Sequence, residues 1–353
     1  MKDCYINGIG VVSAQNTVDD GFLENSVVNE TENVIYAQQP SYKELIAPAM
    51  IRRMAKGVKM GIYASTLAMN EAGIDTPEAI ITGTGMGCVE DSEKFLKAII
   101  DNNEEFLTPT SFIQSTHNTV GAQIALGLQC KSYNFTYVNG AISLESALID
   151  AKMQMEEDGI HTVLVGGIDE IAQHTTNLYK LNNFIKRDED KPFAIIDSNS
   201  KGIVFGEGAA FFALENSSKE SSYAKLIDIS VKNVMKPDKV ADFITEFLAS
   251  NESNVNEIDA VILGNNGDTE FDNYYDVSNS ILKNIPQVYY KHLSGEYNTA
   301  SGFGLWLASN ILKKQHIPAV VKMNNLDHDN YNTVLLYNQF RGRDHSLILL
   351  RKC

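Results

Sequence analysis

Cysteine is scarce in this sequence, and the few cysteines are scattered. Cys4, Cys88, Cys130 and Cys353 are the four thiols of a 353-residue chain, and no two of them form a C-x-x-C pair. This spacing disfavours a zinc site and a disulfide framework, and it fits a reducing compartment. We therefore expect a cytoplasmic protein without a metal site.

Positive charge is also in short supply. The chain has 29 Lys and Arg against 45 Asp and Glu, which gives a formal net charge of −16, and its pI is about 4.9. A strongly acidic surface repels the phosphates of nucleic acids and of anionic lipids. Neither nucleic acid nor a membrane surface is therefore expected as a partner.

Long apolar segments are missing as well. No run approaches the roughly 18 apolar residues that a membrane-spanning helix requires. The opening residues, MKDCYINGIGVVS, enter a predicted strand directly and lack the basic and apolar regions of a signal peptide. A composition of 44% hydrophobic residues is ordinary for a globular protein with a large core or two fused halves.

Short apolar runs alternate with longer helical patterns, and the same alternation begins again after a polar segment at 216–223. Predicted strands lie at 5–13, 79–87, 133–138, 161–169, 203–215, 224–232, 258–265, 286–291, 317–323, 332–340 and 345–350. Predicted helices lie at 48–73, 89–101, 118–128, 141–157, 238–250, 272–284 and 300–315. The alternation predicts an α/β protein with largely parallel strands, in two halves that span 1–216 and 217–353.

Each half contains a strand that meets a helix through a turn of small residues. The two segments read YVNGAISLESAL (137–148) and YYKHLSGEYNTASG (289–302). If the halves are related by a pseudo-twofold axis, both helix N-termini point at one central site, and their free N–H groups suit an oxyanion. The glycines of TGTGMG (82–87) imitate a nucleotide loop, but a lone glycine pattern is weak evidence, and no cofactor is expected.

Three segments in order carry a family resemblance. They read GIVFGEGAAFFALE (202–215), KHLSGEYNTASG (291–302) and NQFRGRDHSLILL (338–350). They resemble the glycine-rich strand, the K-x-x-x-G-H-x-x-G-A-A-G segment and the F-G-F-G-G-T-N-A-S strand of the β-ketoacyl-acyl-carrier-protein synthases of the thiolase superfamily. The resemblance implies an α/β, thiolase-like fold with two duplicated βαβαβαββ halves in a five-layer α-β-α-β-α arrangement, usually as a dimer.

The chain departs from this family at each position of its Cys-His-His triad. The cysteine of T-A-C-S-S-S-L-V-A-L falls on Gly140. The histidine of H-G-T-x-T falls on Asn266, or on Asn265 if the register shifts by one residue. The histidine of the K-x-x-x-G-H segment falls on Glu296, whereas its lysine is retained as Lys291.

These departures remove the groups that condensation needs. The family's reaction uses a thiolate to accept an acyl group and two imidazoles to polarise a thioester carbonyl during decarboxylation. Gly140 cannot form a thioester, and a carboxylate at Glu296 would oppose the developing enolate. Gly140 is then either a turn glycine or a residue that opens space for a substrate chain. Glu296 is either paired with Lys291 or a carboxylate base.

Two further residues match family positions. Glu207 matches an acid that lies beside the active site and organises its surroundings, and this structural role would survive the loss of chemistry. Phe340 matches a phenylalanine that gates the acyl pocket, although core packing explains it equally well.

These departures favour the interpretation that the chain is a subunit without the triad, similar to the chain-length factors of type II polyketide systems. Those proteins also have an acid after leucine at the position where this chain has Leu144-Glu145. Such a subunit pairs with an active β-ketoacyl synthase, or with itself, and reaches an acyl carrier protein through its partner. One alternative is an enzyme of the same fold that decarboxylates malonyl-carrier or transfers acyl groups. Another is a non-catalytic homodimeric scaffold that binds acyl chains.

Overall fold

Ten strands form a mixed sheet in the computed structural model, which describes residues 3–18, 21–157 and 159–353. The strands are β1 (Tyr5–Val12), β2 (Ala79–Gly83), β3 (Tyr133–Tyr137), β4 (Thr162–Asp169), β5 (Gly208–Glu215), β6 (Ala224–Asn233), β7 (Ala260–Leu263), β8 (Gln287–Tyr289), β9 (Thr333–Phe340) and β10 (Asp344–Arg351). The helices are α1 (Pro48–Ile51), α2 (Lys56–Ala72), α3 (Val89–Asp101), α4 (Pro109–Ser115), α5 (Thr119–Gly127), α6 (Ser143–Glu157), α7 (Gln173–Leu181), α8 (Val240–Ser250), α9 (Asn273–Leu282), α10 (Lys291–Ser294) and α11 (Ser301–Lys314). None of these helices is both long and apolar enough to cross a membrane.

The strand order repeats itself outward from the middle of the sheet. It reads β3-β2-β4-β5-β1-β6-β10-β9-β7-β8, so that β1 and β6 occupy equivalent inner positions and β3 and β8 equivalent edges. The two halves are hydrogen-bonded through a short β1–β6 contact, where Tyr5 faces Lys225 and Ile6 faces Ala224. This repetition is the internal duplication that the sequence rhythm suggested.

The expectation of largely parallel strands is wrong for the inner strands. β2 is parallel to β3 and β4, and β7 is parallel to β8 and β9, but the other neighbouring pairs run antiparallel. Parallel neighbours require a long crossover connection, whereas antiparallel neighbours do not. A three-residue turn at 341–343 joins β9 to β10, so these two strands can only run antiparallel.

Alternate side chains of the strands pack on opposite faces and so create the layers. In the second half, Ile262, Leu336 and Ile348 belong to the central core, while Leu263 and Leu349 belong to an outer core with α8 and α9. In the first half the outer core is formed with α2 and α5. The central layer holds α6 and α11, and α11 is buried from Ser301 to Leu312 because it lies between the two halves of the sheet. The predicted five-layer α-β-α-β-α arrangement is confirmed.

Several local predictions differ from the structure. Residues 317–323 form no strand; Ala319–Val321 is a single 3₁₀ turn that follows Pro318, whose nitrogen cannot donate a ladder hydrogen bond. The predicted strand 203–215 becomes regular only at Gly208, because Ile203 and Phe205 make isolated bridges to other loops. The polar segment 216–223 lies between β5 and β6, but the division of the chain at 216/217 stays a prediction.

Candidate functional site

A buried polar network lies where the loop after β7 meets α10 and β9. Lys291 Nζ donates to Glu296 Oε2 at 2.6 Å and to Asn338 Oδ1 at 2.8 Å. Asn266 Nδ2 donates to the same Glu296 Oε2 at 2.7 Å. All four side chains are almost fully buried. Three of the residues predicted from the sequence are thus in direct contact, with Glu296 at their centre.

Close backbone contacts aim Glu296 into this network. Its N–H donates to Val204 O at 2.8 Å, and its carbonyl accepts from Gly206 N at 3.0 Å. Gly295 has φ +72°, and a Cβ at this residue would lie 2.7 Å from the Gly206 Cα. Only glycine therefore allows the two segments to cross here and to present the next side chain inward.

The loop that carries Asn266 is held by two ionisable side chains, Asp272 and Lys186. Asp272 accepts from Asn266 N and Gly267 N, and burial raises the pKa of its carboxyl to about 6. On the other side, Lys186 Nζ donates to Gly267 O at 2.6 Å and to Ser198 Oγ at 3.0 Å. Burial lowers the pKa of Lys186. Sequence reasoning missed Lys186, because its surroundings, NFIKRDEDK, look like a solvated loop.

Gly140 lies at the turn that leads into α6 but outside this network. Its φ is +54°, and a Cβ built there would meet only Asp344 Oδ2, at 3.4 Å. The turn is closed by Ser143, whose hydroxyl accepts from Asn139 N at 2.8 Å and lies 2.7 Å from Gly140 O. Within the described residues no hydrogen bond joins Gly140 to Asn266 or Glu296.

Glu207 is also buried, but its partners differ from those of Glu296. Its carboxylate pairs with Lys56 Nζ at 2.6 Å and accepts from Ile171 N at 2.7 Å and Ala37 N at 3.3 Å. The side chain therefore joins β5 to the start of α2 and to the segment after β4. Among the described residues, no hydrogen bond or ion pair joins the Glu207 side chain to Lys291 or Glu296.

Phe340 lines a cavity of about 310 Å³ that reaches Glu296. Half of the lining residues are aromatic, and the full set is Tyr179, Asn182, Phe184, Ile203, Phe205, Glu296, Tyr297, Asn298, Phe340 and Arg341. The Phe340 and Phe184 rings are 6.0 Å apart. The structure thus brings Phe340 and Glu296 to one cavity, whereas Gly140, Asn266, Lys291 and Glu207 do not line it.

Comparison with known proteins shows the family of this chain. The model of the "Beta-ketoacyl synthase, N-terminal domain" matches residues 19–220, more than half of the chain. The chain belongs to the β-ketoacyl synthase family. No curated protein sequence matches it.

Solved structures support the fold of this β-ketoacyl synthase family member. The ishigamide ketosynthase/chain length factor superposes with a TM-score of 0.81 at 19% identity, covering 100% of this chain and 99% of that one. A β-ketoacyl synthase from Burkholderia phymatum STM815 has a TM-score of 0.81 at 16% identity, with both chains fully covered. The ketosynthase ApeO in complex with its chain length factor ApeC, from Xenorhabdus doucetiae, matches at 0.76 and 14%, covering 100% and 98%. At these identities the likeness establishes the thiolase-like fold.

Other buried acids of this family member escaped the sequence reasoning. Asp169, at the end of β4, accepts from Gly85 N at 2.8 Å and from Thr299 N at 2.9 Å, and so ties the two halves together. Glu170 accepts from Glu90 N at 3.0 Å and from Gly57 N, near the starts of α3 and α2. The sequence feature that could have revealed Asp169 and Glu170 is that both acids directly follow the buried apolar segment TVLVGGI.

Glu145, singled out above for its place after leucine, is fully buried in the central layer. Ser346 Oγ donates to its Oε1 at 3.0 Å, while its Oε2 has no hydrogen-bond partner among the described residues. Burial raises the pKa of the Glu145 carboxyl. This favours the protonated acid, which can itself donate a hydrogen bond.

Proposed function

We propose that this β-ketoacyl synthase family member is a non-condensing subunit that pairs with an active ketosynthase, in the manner of a chain-length factor. The observation that carries the proposal is the state of the three positions matched to the triad. Gly140 supplies no nucleophile, and Asn266 and Glu296 are bound to each other and to Lys291 in a buried network. A condensing enzyme would need a thiolate and two imidazoles at these positions.

The electrostatics of the network argue against a substitute chemistry. Glu296 Oε2 already accepts from two donors, one of them the Lys291 ammonium. An enolate beside this carboxylate would be repelled rather than stabilised. Among the native thiols, Cys4 and Cys88 are buried, and burial raises the pKa of both, so that neither offers a thiolate at neutral pH.

An apolar surface beside a free sheet edge supports the pairing. β3 is an edge strand, and Phe135 on it is 46% exposed. In the two helices that precede this strand, the side chains of Leu126 (α5), Phe112 and Ile113 (both α4) are each more than half exposed. An unpaired edge with large apolar side chains is the kind of surface that a second subunit covers.

The proposed role follows from the pairing. The partner would hold the growing acyl chain on its own cysteine, and this subunit would form part of the wall around that chain. A carrier protein would deliver substrates to the partner rather than to this chain. The pathway would be of the fatty-acid or polyketide type.

Co-expression with the ketosynthases of the same pathway tests the proposal. We expect a tagged form of this chain to co-purify with one cysteine-containing ketosynthase in equal amounts, and condensation to require both proteins. Condensation or malonyl-carrier decarboxylation by this chain alone would refute the non-condensing role and favour the altered-chemistry enzyme. Absence of a complex with every ketosynthase of the pathway would favour the homodimeric scaffold.

A further inference from the structure

Arg341 lies at the mouth of the aromatic cavity, in the turn between β9 and β10. Its guanidinium carbon is 5.3 Å from the centre of the Phe184 ring and 5.1 Å from the centre of the Phe271 ring. Both distances are within the range of about 6 Å for cation–π attraction. One side chain thus contacts two separate loops, one after α7 and one after β7.

The backbone of Arg341 is in a conformation that favours glycine. Its φ is +53°, in the left-handed region where a side chain causes strain. The similar motif F-G-F-G-G has glycine after its second phenylalanine, so this chain has replaced the residue that fits best. Among the described residues the guanidinium has no salt bridge and no hydrogen bond. Its contacts with the Phe184 and Phe271 rings are therefore the interactions by which the Arg341 side chain stabilises this turn.

The neighbouring contacts show which loop depends on Arg341. Gln339 Nε2 donates to Phe271 O at 3.1 Å, and Gln339 Oε1 accepts from Gly342 N at 2.9 Å. The turn is thus fixed to the Phe271 side by hydrogen bonds. On the other side, Phe184 faces the turn through its ring contacts with Arg341 and Phe340. Arg341 is the charged contact that links the two sides of the mouth.

We propose that Arg341 is a latch that restricts access to this subunit's own cavity. The cavity keeps a volume of about 310 Å³ and its aromatic walls, so it has not been filled by side chains. Access is restricted instead, because Arg341 holds the β9–β10 turn against the Phe184 loop. Apolar chains that arrive on a carrier arm would be excluded. This inference goes beyond the pairing proposed above and does not depend on it.

Alkylation of a thiol placed in the cavity tests the latch. Ile203→Cys supplies the thiol on the cavity wall, in a background with Cys130→Ser and Cys353→Ser that leaves only buried native thiols. The reagent is iodoacetamide, and intact-mass spectrometry follows the rate. The latch is removed with Arg341→Asn, because asparagine tolerates the left-handed conformation but has no cation. Arg343→Asn, on the same turn, is the matched control.

We expect Arg341→Asn to raise the alkylation rate at least about fivefold, as the loss of two cation–π contacts implies. Arg343→Asn should leave the rate unchanged. An unchanged rate in Arg341→Asn, or an equal rise in both variants, would overturn the latch. If Ile203→Cys fails to fold, Asn298→Cys lines the same cavity and serves as the second reporter. The assay uses this chain without a ketosynthase, so its failure would leave the pairing proposal intact.

Discussion

At the scale of single residues, Lys291 and Glu296 form a buried ion pair at the centre of the candidate site. Both side chains are almost fully buried, and each satisfies the charge of the other. A buried ion pair contributes little net stability over apolar residues of similar size, but removing one partner leaves an uncompensated charge. The pair is therefore expected to matter for folding rather than for turnover.

Glu296→Leu tests this structural role. The variant leaves the Lys291 ammonium buried with only Asn338 as an acceptor, so we expect the free energy of unfolding to fall by about 3–5 kcal/mol. Urea unfolding followed by the fluorescence of Trp306, the single tryptophan, measures it. The double variant Lys291→Met/Glu296→Leu removes both charges and should recover most of the loss. A Glu296→Leu protein as stable as the native chain would contradict the pairing.

Glu170 should make stability depend on pH. Burial raises the pKa of its carboxyl to about 7, from an ordinary value of 4.5. Between these values the folded state binds more protons than the unfolded state, so the free energy of unfolding falls as the pH rises. Over the whole window the loss amounts to at most about 3 kcal/mol.

Glu170→Gln should lack this decline, because glutamine does not titrate. The loss of one acceptor lowers the stability of the variant by an amount that does not depend on pH. The quantity compared is therefore the slope of the free energy of unfolding from pH 4.5 to 7. Glu246→Gln, an exposed carboxyl on α8, is the control and should follow the native slope. Parallel slopes for the native protein and Glu170→Gln would show that the carboxyl does not titrate in this range.

At the scale of secondary structure elements, the sequence predicted those helices whose periodicity is visible in the local pattern. The periodicity of 89–101 predicted α3 with its observed bounds, and 300–315 predicted α11 within one residue at each end. The helices α4 and α10 were missed, since a helix of one or two turns has too few repeats to show a period, and α7 was missed as well. The strand predicted at 317–323 failed because apolar β-branched residues also suit a buried turn.

Some residues of the candidate site could likewise be predicted from local sequence, and others could not. Motif spacing brought out Asn266, Lys291 and Glu296, which the structure joins by hydrogen bonds. Asn338 and Lys186 could not be predicted, because their contacts come from segments that are distant in sequence and only the fold brings them together. Arg341 lies inside the motif NQFRGRDHSLILL, but its two ring partners, Phe271 and Phe184, are about 70 and 157 residues away in sequence, which no local pattern reveals.

The edge strand β3 carries a prediction of its own. Phe135→Asp places a charge in the middle of the exposed apolar surface that a second subunit is proposed to cover. Burying an unpaired carboxylate there is costly, so we expect the variant to be a monomer or to aggregate, as measured by sedimentation velocity. Leu181→Asp, at the end of α7, is the control; Leu181 is 78% exposed against 46% for Phe135, and its replacement should leave the sedimentation coefficient unchanged. A native-like dimer of Phe135→Asp would place the interface elsewhere.

At the scale of the whole molecule, charge and apolar surface act against each other. Each copy of the chain carries a formal net charge of −16, so two copies repel one another at low ionic strength. The apolar edge around β3 favours their association, and apolar contacts do not weaken as salt is added. A partner subunit that is less acidic would meet less repulsion, which favours a heteromeric pair over two copies of this chain.

The salt dependence of self-association follows from that balance. Raising the NaCl concentration from about 0.05 to 0.5 M shortens the screening length from roughly 14 to 4 Å and removes most of the repulsion between the two acidic copies. We expect the homodimer to tighten over this range, as a lower dissociation constant in sedimentation equilibrium. An interface held by ion pairs would weaken instead, since salt screens attraction as well as repulsion. A dissociation constant that rises with salt, both for the native chain and for the Leu181→Asp control, would therefore contradict an apolar interface at β3.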